Sequence, residues 1–506
     1  MLKISAAFLA SASVLGLVAV AVAQTPAGAP LPQANNDYYV AAEATLENML
    51  ARQPIEGRAR NIIIFVGDGM SVPTVTAARI LEGQNRGVDG ESNNLAIDAF
   101  PFVALAKTYS HNGQVSDSAP TATAMLTGIK TNQGVLGVNG AVAYEDCAAE
   151  AGNEVMTIFE MAETAGLATG VVSTARVTHA TPAATYAHTA SRNWESTAPE
   201  GCTDIAAQLV GWQAGDGFEV VLGGGRSYFL PSMMADPEDQ GRTGNRRDGR
   251  DLTAEWTAMG NNHAYVWNLE QLNALDLSTG VKVLGLFEGS HMEYDANRAG
   301  DVGGEPSIAE MTAAAITRLS QSEEGFVLMV EGGRIDHAHH EGNAFLALHD
   351  AIAFDQAIAT ALEMTSREDT LIIVTADHGH TLTINGYPDR GNPIFGLVQE
   401  GGEPALAGDG LPYTTLQYAN GPGALFPALA TGQTAPEAAG IRPDLTNVDT
   451  AAATFLQPAL IPMSSETHTG EDVAVYAIGP WAHLMSGTVE QNYIYSVMSY
   501  ASGLGR

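Results

Sequence analysis

The chain has 506 residues, of which 45% are hydrophobic and only 16% charged, a composition typical of a folded protein with a large core. Its formal net charge is −34 at pH 7, and this acidity argues against nucleic-acid binding, which needs a basic surface. An anionic substrate would therefore need local positive charge, from metal ions or from a well-placed arginine.

The N-terminal segment has the features of an export signal. Lys3 precedes an apolar run, and residues 21–23 form a small-x-small cleavage site before Gln24. Residues 1–23 are therefore predicted to be a signal peptide, and residues 24–37, rich in Pro, Ala, Gln and Asn, a flexible leader. No later stretch is apolar for the length of a membrane span, so we expect an exported protein, periplasmic or extracellular, with no stable membrane anchor after signal removal.

The mature chain alternates predicted helices with apolar strands. The continuous apolar run 61–66 is typical of a strand buried on both faces of a parallel sheet. In chain order, we predict helices over 40–52, 72–82, 154–165, 307–320 and 343–365, and strands over 61–66, 169–174, 220–225, 326–330, 370–375 and 473–477. This alternation predicts one α/β domain over 38–506 with a mostly parallel sheet, interrupted by a Gly- and Pro-rich insertion over 382–465.

Cys147 and Cys202 are the two cysteines of the chain. In an exported protein they are most simply explained by one disulfide, and two buried free thiols are the alternative. Such a crosslink would stabilise the fold by roughly 4 kcal/mol, because it reduces the entropy of the unfolded chain.

Two polar segments stand where predicted strands or helices meet. Asp68 lies between two glycines directly after strand 61–66, and open α/β sheets bind ligands at the carboxyl ends of their strands. Ser118 is followed by Pro120, which suits the first turn of a helix, where free backbone N–H groups attract anions. Taken alone, Ser118 is better explained as a helix N-cap than as a catalytic residue, and Asp68 could equally be an exposed turn residue.

Carboxylates and imidazoles follow several other predicted strands, in combinations that suit metal ions. Asp336, His340 and His468 form a zinc-type ligand set that leaves one position open for water or substrate. Asp377 and His378 offer a second carboxylate–imidazole pair that Asp68 could complete. The oxygen ligands that a hard ion such as Mg²⁺ prefers are offered by Asp68, Thr181 and Glu331.

These residues lie in segments that resemble the metal-dependent alkaline phosphatases over nearly the whole mature length. The matching segments are VGDGM at 66–70, DSA at 117–119, HATPA at 179–183, SR at 191–192, VEGGRIDH at 330–337, TADHG at 375–379 and ETHTG at 466–470. The resemblance is to the animal-like branch of the family. It implies a three-layer α/β sandwich with a large, mostly parallel central sheet flanked by helices, and it implies a crown-type insertion.

The resemblance implies hydrolysis of small phosphate monoesters through a covalent phosphoserine at Ser118, with two Zn²⁺ and one Mg²⁺. Zinc at the serine lowers the pKa of its hydroxyl, so no histidine base is needed. Arg192 would grip two phosphate oxygens, with Asp117 holding its guanidinium. The side chains expected to orient ligands or water around the metals are His179, His337 and His380.

The family resemblance also implies features away from the reacting serine. A calcium-type site would use Glu238, the carbonyl of Phe287, Glu288 and Glu305. The spacing of the two cysteines resembles an animal-type disulfide. A homodimer is expected, with the insertion near its two-fold axis.

Two other functions stay open at this point. A phosphodiesterase or sulfatase of the same superfamily would place threonine or a modified cysteine at the nucleophile and lack the magnesium ligands. A non-catalytic phosphate-binding or coat protein would lack a ligand or the nucleophile. The presence of Ser118, Thr181, Glu331 and Arg192 favours the monoesterase.

Overall fold

A computed structural model describes residues 31–424 and 442–505. The predicted signal peptide and residues 24–30 of the predicted leader lie outside the described residues. Two compact units divide the chain, residues 1–53 and residues 54–506. The described part of the first unit contains helix α1, Asp37–Ala51, which begins where the Asn36 side chain accepts a hydrogen bond from the Tyr38 N–H (3.0 Å) and which has no buried residue.

The described part of the second unit contains the remaining helices and all the strands. Its helices are α2 Val72–Asn85, α3 Ser118–Thr127, α4 Ile158–Thr164, α5 Ala180–Ala183, α6 Ile205–Val210, α7 Arg226–Phe229, α8 Leu252–Ala258, α9 Leu269–Asn273, α10 Ile308–Leu319, α11 Arg334–His340, α12 Ala344–Met364 and α13 Tyr493–Ser502. Its strands are β1 Asn61–Gly67, β2 Phe102–Lys107, β3 Ala168–Arg176, β4 Val220–Gly224, β5 His263–Val266, β6 Lys282–Leu286, β7 Phe326–Gly332, β8 Thr370–Ala376, β9 Gly379–His380, β10 Thr383–Ile384, β11 Gln399–Glu400, β12 Glu403–Pro404, β13 Leu416–Gly421, β14 Ala459–Pro462, β15 His468–Thr469, β16 Val473–Ile478 and β17 Gly487–Glu490.

A ten-stranded sheet with the order β17-β2-β16-β8-β1-β7-β3-β4-β6-β5 forms the centre of the second unit. Within this sheet only β16 runs antiparallel to its neighbours. The central strand β1 pairs with β8 and β7, and Val66 lies opposite Thr375 and Glu331. The carboxyl ends of these three strands are therefore level, and the loops that follow them lie at one edge of the sheet.

Helices cover both faces of this sheet and bury it. Helix α12 contacts both α2 and α10, and helix α3 contacts α4, α5 and α13, so these helices form two separate sets around the sheet. Strand β1 is buried along Ile62–Val66 with 0% exposure, as its continuous apolar run predicts. The predicted three-layer α/β sandwich with a mostly parallel sheet is thus confirmed.

The helix predicted over 154–165 was placed too early. Helix α4 begins at Ile158, because the Thr157 hydroxyl accepts from the Glu160 N–H (3.0 Å) and the Glu160 carboxylate accepts from the Thr157 N–H (2.7 Å). Glu154 instead pairs with Val138 in an isolated antiparallel bridge. The capping residues override the helical periodicity that continues before them.

The predicted insertion contains short strands in its described part. Strands β10, β13 and β14 form a three-stranded sheet, and β11 pairs with β12. Residues 425–441 of this segment lie outside the described residues. Elsewhere, helix α12 has the length and hydropathy (1.2) of a membrane span, but 56% of that window is buried, as in the core helix of a folded domain.

Candidate active site

The loops that follow neighbouring strands carry the predicted metal ligands. Asp68 directly follows β1, Asp377 directly follows β8, and Glu331 is the penultimate residue of β7. His468 precedes the antiparallel strand β16, whose amino end therefore lies at the same edge of the sheet. The eight predicted ligands, far apart in sequence, converge there because parallel strands end together: Asp68, Thr181, Glu331, Asp336, His340, Asp377, His378 and His468.

One group of ligand atoms is formed by Asp336, His340 and His468. Helix α11 carries Asp336 and His340 four residues apart, so the two side chains share one face. Nε2 of His340 and Nε2 of His468 each lie 3.4 Å from Oδ1 of Asp336. Nδ1 of His340 bonds the Glu466 carbonyl (2.6 Å) and Nδ1 of His468 bonds the Ser116 carbonyl (2.8 Å), which directs both Nε2 atoms towards Asp336.

A second group is formed by Asp68, Asp377 and His378, all with 0% exposure. Nε2 of His378 lies 3.4 Å from Oδ1 of Asp68 and 3.2 Å from Oδ2 of Asp377. The hydroxyl of Ser118 lies beside this group, with Oγ 3.4 Å from Oδ1 of Asp68 and 3.2 Å from Nε2 of His378. The predicted nucleophile thus touches two predicted metal ligands.

The third group consists of the side-chain oxygen atoms of Glu331, Thr181 and Asp68. One carboxylate oxygen of Glu331 accepts a short hydrogen bond from the Ser173 hydroxyl. Oε1 of Glu331 and Oγ1 of Thr181 are buried and lack a hydrogen-bond partner. Ligand atoms of Asp68, His179 and Glu331 lie within 4.8 Å of one another. Two free buried oxygens beside Asp68 suit a hard divalent cation.

Burial and mutual repulsion disfavour the charged forms of these carboxylates. Burial, followed by repulsion from Asp377, raises the pKa of Asp68 well above its usual range. Burial also raises the pKa of Asp377, and it raises the pKa of Glu331 to about 8. Oδ2 of Asp68 and Oδ2 of Asp377 lack hydrogen-bond partners. Three buried carboxylates with unpartnered oxygens fit bound cations, which would stabilise the charged forms.

Asp336 has the opposite electrostatic environment. Burial would raise its pKa, but hydrogen bonds from His380 and His468 outweigh burial and hold the pKa well below its usual range. Nε2 of His380 lies 2.7 Å from Oδ1 of Asp336, and Nδ1 of His380 bonds Glu466. These two carboxylates outweigh the effect of burial on His380 and raise its pKa to about 9. His380 therefore contacts the predicted ligand Asp336, and the orienting role that the family resemblance implies for it stays a prediction.

Helix α3 begins at Ser118. The Asp117 side chain caps this helix by accepting from the Ala119 N–H (2.7 Å), so Asp117 and not Ser118 is the N-cap. The Ser118 hydroxyl is therefore not used for capping. It is 2% exposed and lies at the positive end of the helix dipole, where a phosphate is favoured.

The Arg192 guanidinium contacts His179 and also Asp117, the residue directly before Ser118. Nη1 of Arg192 bonds Oδ1 of Asp117 (3.2 Å), and Nη2 bonds Nε2 of His179 (2.8 Å). Burial and the Arg192 charge hold the pKa of His179 well below its usual range, so its ring is neutral and can accept. The centroid of the His337 ring lies 5.4 Å from that of His179, so these two predicted orienting histidines are neighbours, and His179 is the one that contacts Arg192.

Two of the residues predicted to bind calcium, Glu238 and Glu288, line a polar cavity of about 620 Å³ on the same unit, whereas Phe287 and Glu305 are not among its lining residues. Burial, followed by repulsion from Glu238, raises the pKa of Glu288 to about 7, and burial raises that of Glu305 to about 9. Oε1 of Glu305 is buried without a partner. The Phe287 side chain is buried beside them at 1% exposure. Asp301, which the sequence analysis did not name, also lines this cavity and accepts from the Glu305 N–H (2.7 Å).

The predicted disulfide is present. Cys147 and Cys202 are bonded, with their Cα atoms 5.9 Å apart. The alternative of two free thiols is excluded.

Several residues around the site were not found from the sequence. Glu466 accepts from the Thr381 N–H (2.7 Å) as well as bonding His380, and the sequence indicated it only as the first residue of the matching segment 466–470, with no role assigned. Gln491 donates from Nε2 to the Asp377 carbonyl (2.7 Å), and no pattern in the sequence indicates this contact. Ser173, which bonds Glu331, lies in a strand of apolar character and gave no separate signal.

Known proteins resemble this chain in sequence and in fold. Residues 59–504 match the model of the family described as alkaline phosphatase. The tissue-nonspecific alkaline phosphatase isozyme of chicken (Gallus gallus) is 45% identical over 478 residues, covering 92% of this chain and 88% of the relative. The alkaline phosphatase of cod (Gadus morhua) is 44% identical, covering 95% of this chain and 99% of the relative. The crystal structure of Thermus thermophilus alkaline phosphatase is 26% identical with a TM-score of 0.64, and the match covers 90% of this chain and 94% of that one.

Proposed function

Since the chain belongs to the alkaline phosphatase family of metal-dependent phosphoric monoester hydrolases, we propose that it hydrolyses phosphate monoesters through a covalent phosphoserine at Ser118. The observation that carries this proposal is the position of Ser118 Oγ at the start of α3, 3.2 Å from Nε2 of His378. A serine that is free of capping and touches ligand atoms is suited to nucleophilic attack on an anion held at the helix terminus.

We propose two zinc ions and one magnesium ion as the cofactors. Asp336, His340 and His468 would hold one zinc. The other zinc would use Asp68, Asp377 and His378, and the magnesium would use Asp68, Thr181 and Glu331. Zinc bound there supplies a lowered pKa for the serine hydroxyl and stabilises the charge that develops on the leaving oxygen.

The side chains of Ser118 and Arg192 carry out nucleophilic attack and phosphate binding in the proposed reaction. Ser118 Oγ forms a bond to phosphorus while the bond from phosphorus to the alcohol oxygen breaks, and the serine proton ends on the released alcohol. Water then attacks the phosphoserine, which releases inorganic phosphate and restores the serine hydroxyl. Arg192 binds two phosphate oxygens with its guanidinium, which Asp117 and His179 hold in place.

Replacing Ser118 tests the covalent step. In Ser118→Ala we expect kcat for an aryl phosphate to fall by more than about a thousandfold, since the nucleophile is removed while the metal ligands remain. Rapid acid quenching with labelled substrate should trap phosphate on the wild-type protein and none on the variant. Ser92→Ala is the matched control, because the Ser92 hydroxyl is exposed and bonds only Asp89 (2.6 Å).

Three results would contradict this mechanism. One is a Ser118→Ala protein with unchanged metal content that keeps more than about a thousandth of wild-type turnover. Another is equal hydrolysis of a monoester and a diester of one leaving group, which would favour a phosphodiesterase instead. Labelled phosphate recovered equally from wild type and Ser118→Ala would also remove Ser118 as the acceptor.

Four further assignments belong to the same proposal. The protein is exported to the periplasm or beyond, which the signal-like sequence over 1–23 supports. It forms a homodimer, and its domain covers 38–506 with the 382–465 segment as an insertion. A calcium ion binds Glu238, the Phe287 carbonyl, Glu288 and Glu305, which the unpartnered Glu305 oxygen supports.

A further inference from the structure

We propose that Gln133 is a positioning residue that sets the geometry of the Asp117–Arg192 phosphate grip, an inference that rests on the function proposed above. Its amide bonds the backbone on both sides of Ser116. Oε1 of Gln133 accepts from the Asp117 N–H (2.9 Å), and Nε2 donates to the Val115 carbonyl (2.6 Å). One side chain thus fixes the segment that leads into Ser118.

The next residue extends this contact to the Asp117 side chain and to Arg192. The Gly134 N–H donates to Oδ2 of Asp117 (2.8 Å), and the Gly134 carbonyl accepts from the Arg192 N–H (2.8 Å). Since Oδ1 of Asp117 holds both the Ala119 N–H and the Arg192 guanidinium, residues 133 and 134 connect the helix cap to the arginine.

The backbone conformation and the close packing at Gly134 both require glycine at this position. Its φ is +77°, and a Cβ there would lie 2.6 Å from Cδ2 of Tyr144, so a larger residue would be strained and would clash. The Tyr144 hydroxyl in turn accepts from Nδ2 of Asn193 (2.7 Å), the residue after Arg192. The Gln133 backbone is held as well, because its N–H donates to Oδ1 of Asn112 (2.9 Å).

Gln133 itself contacts no proposed metal ligand, although the Ser116 carbonyl, which lies between its two backbone partners, bonds Nδ1 of His468. Gln133 touches neither Ser118 nor the Arg192 guanidinium, so it would act only through Val115 and Asp117. Small displacements of positioning groups cost up to about a hundredfold in rate, because the reacting atoms leave their productive geometry. Removal of the Gln133 amide should therefore weaken phosphate binding and lower the turnover rate while changing the stability of the fold little.

The test compares Gln133→Ala with Gln321→Ala, whose amide bonds one backbone carbonyl at the end of α10, that of Thr317 (3.1 Å). We expect Gln133→Ala to lower kcat/KM for an aryl phosphate about tenfold or more and to weaken inhibition by inorganic phosphate about fivefold. Gln321→Ala should match wild type. Zinc content and Tm should stay at wild-type values in both, which separates positioning from loss of metal or fold.

A double-mutant cycle identifies the route of the effect. In an Arg192→Ala background, Gln133→Ala should change phosphate inhibition less than twofold, because the grip that Gln133 sets is already absent. The same fivefold loss in both backgrounds would overturn the inference. If Gln133→Ala does not fold, Gln133→Glu serves in the cycle, since it keeps an oxygen for the Asp117 N–H and loses the donor to Val115.

Failure of this inference differs from failure of the proposed function. Wild-type phosphate inhibition in Gln133→Ala, with a defective Arg192→Ala, would overturn only the role of Gln133. Wild-type phosphate inhibition in Arg192→Ala would overturn the proposed grip and the role of Gln133 with it. An active Ser118→Ala would overturn the covalent step and leave the phosphate-binding comparison decisive for Gln133.

Discussion

At the scale of single residues, the site is a cluster of buried ionisable side chains whose charged forms are stabilised only by oppositely charged neighbours. Asp336 is paired with His380, and Glu466 holds His380 from its other side. Asp68 and Asp377 have no comparable imidazolium partner, and each has one oxygen with no hydrogen bond. A buried carboxylate without compensation costs several kcal/mol or takes up a proton, so a bound cation would stabilise the charged forms of Asp68 and Asp377.

Arg192 binds through the shape of its guanidinium as well as its charge. Arg192→Lys should raise KM for a phosphate monoester and weaken phosphate inhibition by about tenfold, because the three N–H donors of lysine cannot bond Asp117, His179 and two phosphate oxygens at once. Steady-state kinetics with inorganic phosphate as inhibitor provide the measurement. Arg250→Lys is the control, since Arg250 is a surface residue paired with Glu255, and its kinetics should not change. Unchanged phosphate inhibition in Arg192→Lys would show that charge alone suffices.

At the scale of elements, helix α4 carries a buried carboxylate far from the active site. The Glu163 side chain accepts from the Thr169 hydroxyl (2.6 Å) at the start of β3 and is 4% exposed. Burial and repulsion from Glu219 outweigh the attraction of Lys282 and raise the pKa of Glu163 to about 8. In the contact between α4 and β3, the Glu163 carboxyl is therefore protonated at neutral pH and loses its proton at alkaline pH.

Glu163 should make the fold less stable at alkaline pH. The folded state keeps this proton above the unfolded pKa of 4.5, so stability falls as the pH rises from there through about 8. Glu163→Gln keeps an acceptor for Thr169 and should be more stable than wild type by roughly 1–2 kcal/mol at pH 9, with little difference at pH 5. Thermal unfolding of both proteins at the two pH values measures this. An equal difference at both values would show that Glu163 does not titrate in this window.

At the scale of the whole molecule, one sheet brings the site together. Its neighbouring strands β8, β1, β7 and β3 run parallel, so their following loops meet at one edge. The antiparallel strand β16 brings His468 to this edge from its amino end. Because the site joins loops that are hundreds of residues apart, metal ions bound there also crosslink the unit.

Chelation should therefore lower stability as well as activity. With EDTA we expect activity to be lost and Tm to fall, because Asp68, Asp377 and Glu331 then repel one another without compensation. Adding zinc and magnesium should restore both properties, and zinc-saturated EDTA is the control. Full activity in metal-free protein, checked by elemental analysis, would exclude the proposed cofactors.

Calcium should have a separate effect on stability. After chelation and restoration of zinc and magnesium, calcium should raise the Tm of wild type, because it would offset the charges of Glu238 and Glu288, which line one cavity, and of Glu305, which Glu288 repels. Glu305→Gln should lose this response and keep its activity with zinc and magnesium. A calcium titration that leaves the wild-type Tm unchanged would remove the fourth metal site.

The local patterns of the sequence predicted the elements that depend on nearby residues. The apolar run 61–66 identified β1, and Pro120 identified the start of α3 near Ser118. The four-residue spacing of Asp336 and His340 gave their shared helical face. Strands β2 and β17 were not identified, since they lie near one end of the sheet and β2 carries only alternating burial.

The sequence by itself therefore determined the fold class, the resemblance to a family and the residue types of the site. Only the tertiary structure decided which side chains support them: Glu466 behind His380, Gln491 on the Asp377 carbonyl, and Gln133 on Asp117. Metal ligands have distinctive chemistry and lie in matching segments, so they can be found in a linear sequence. A hydrogen bond from a glutamine to a distant backbone group depends only on how the chain folds, and no local pattern encodes it.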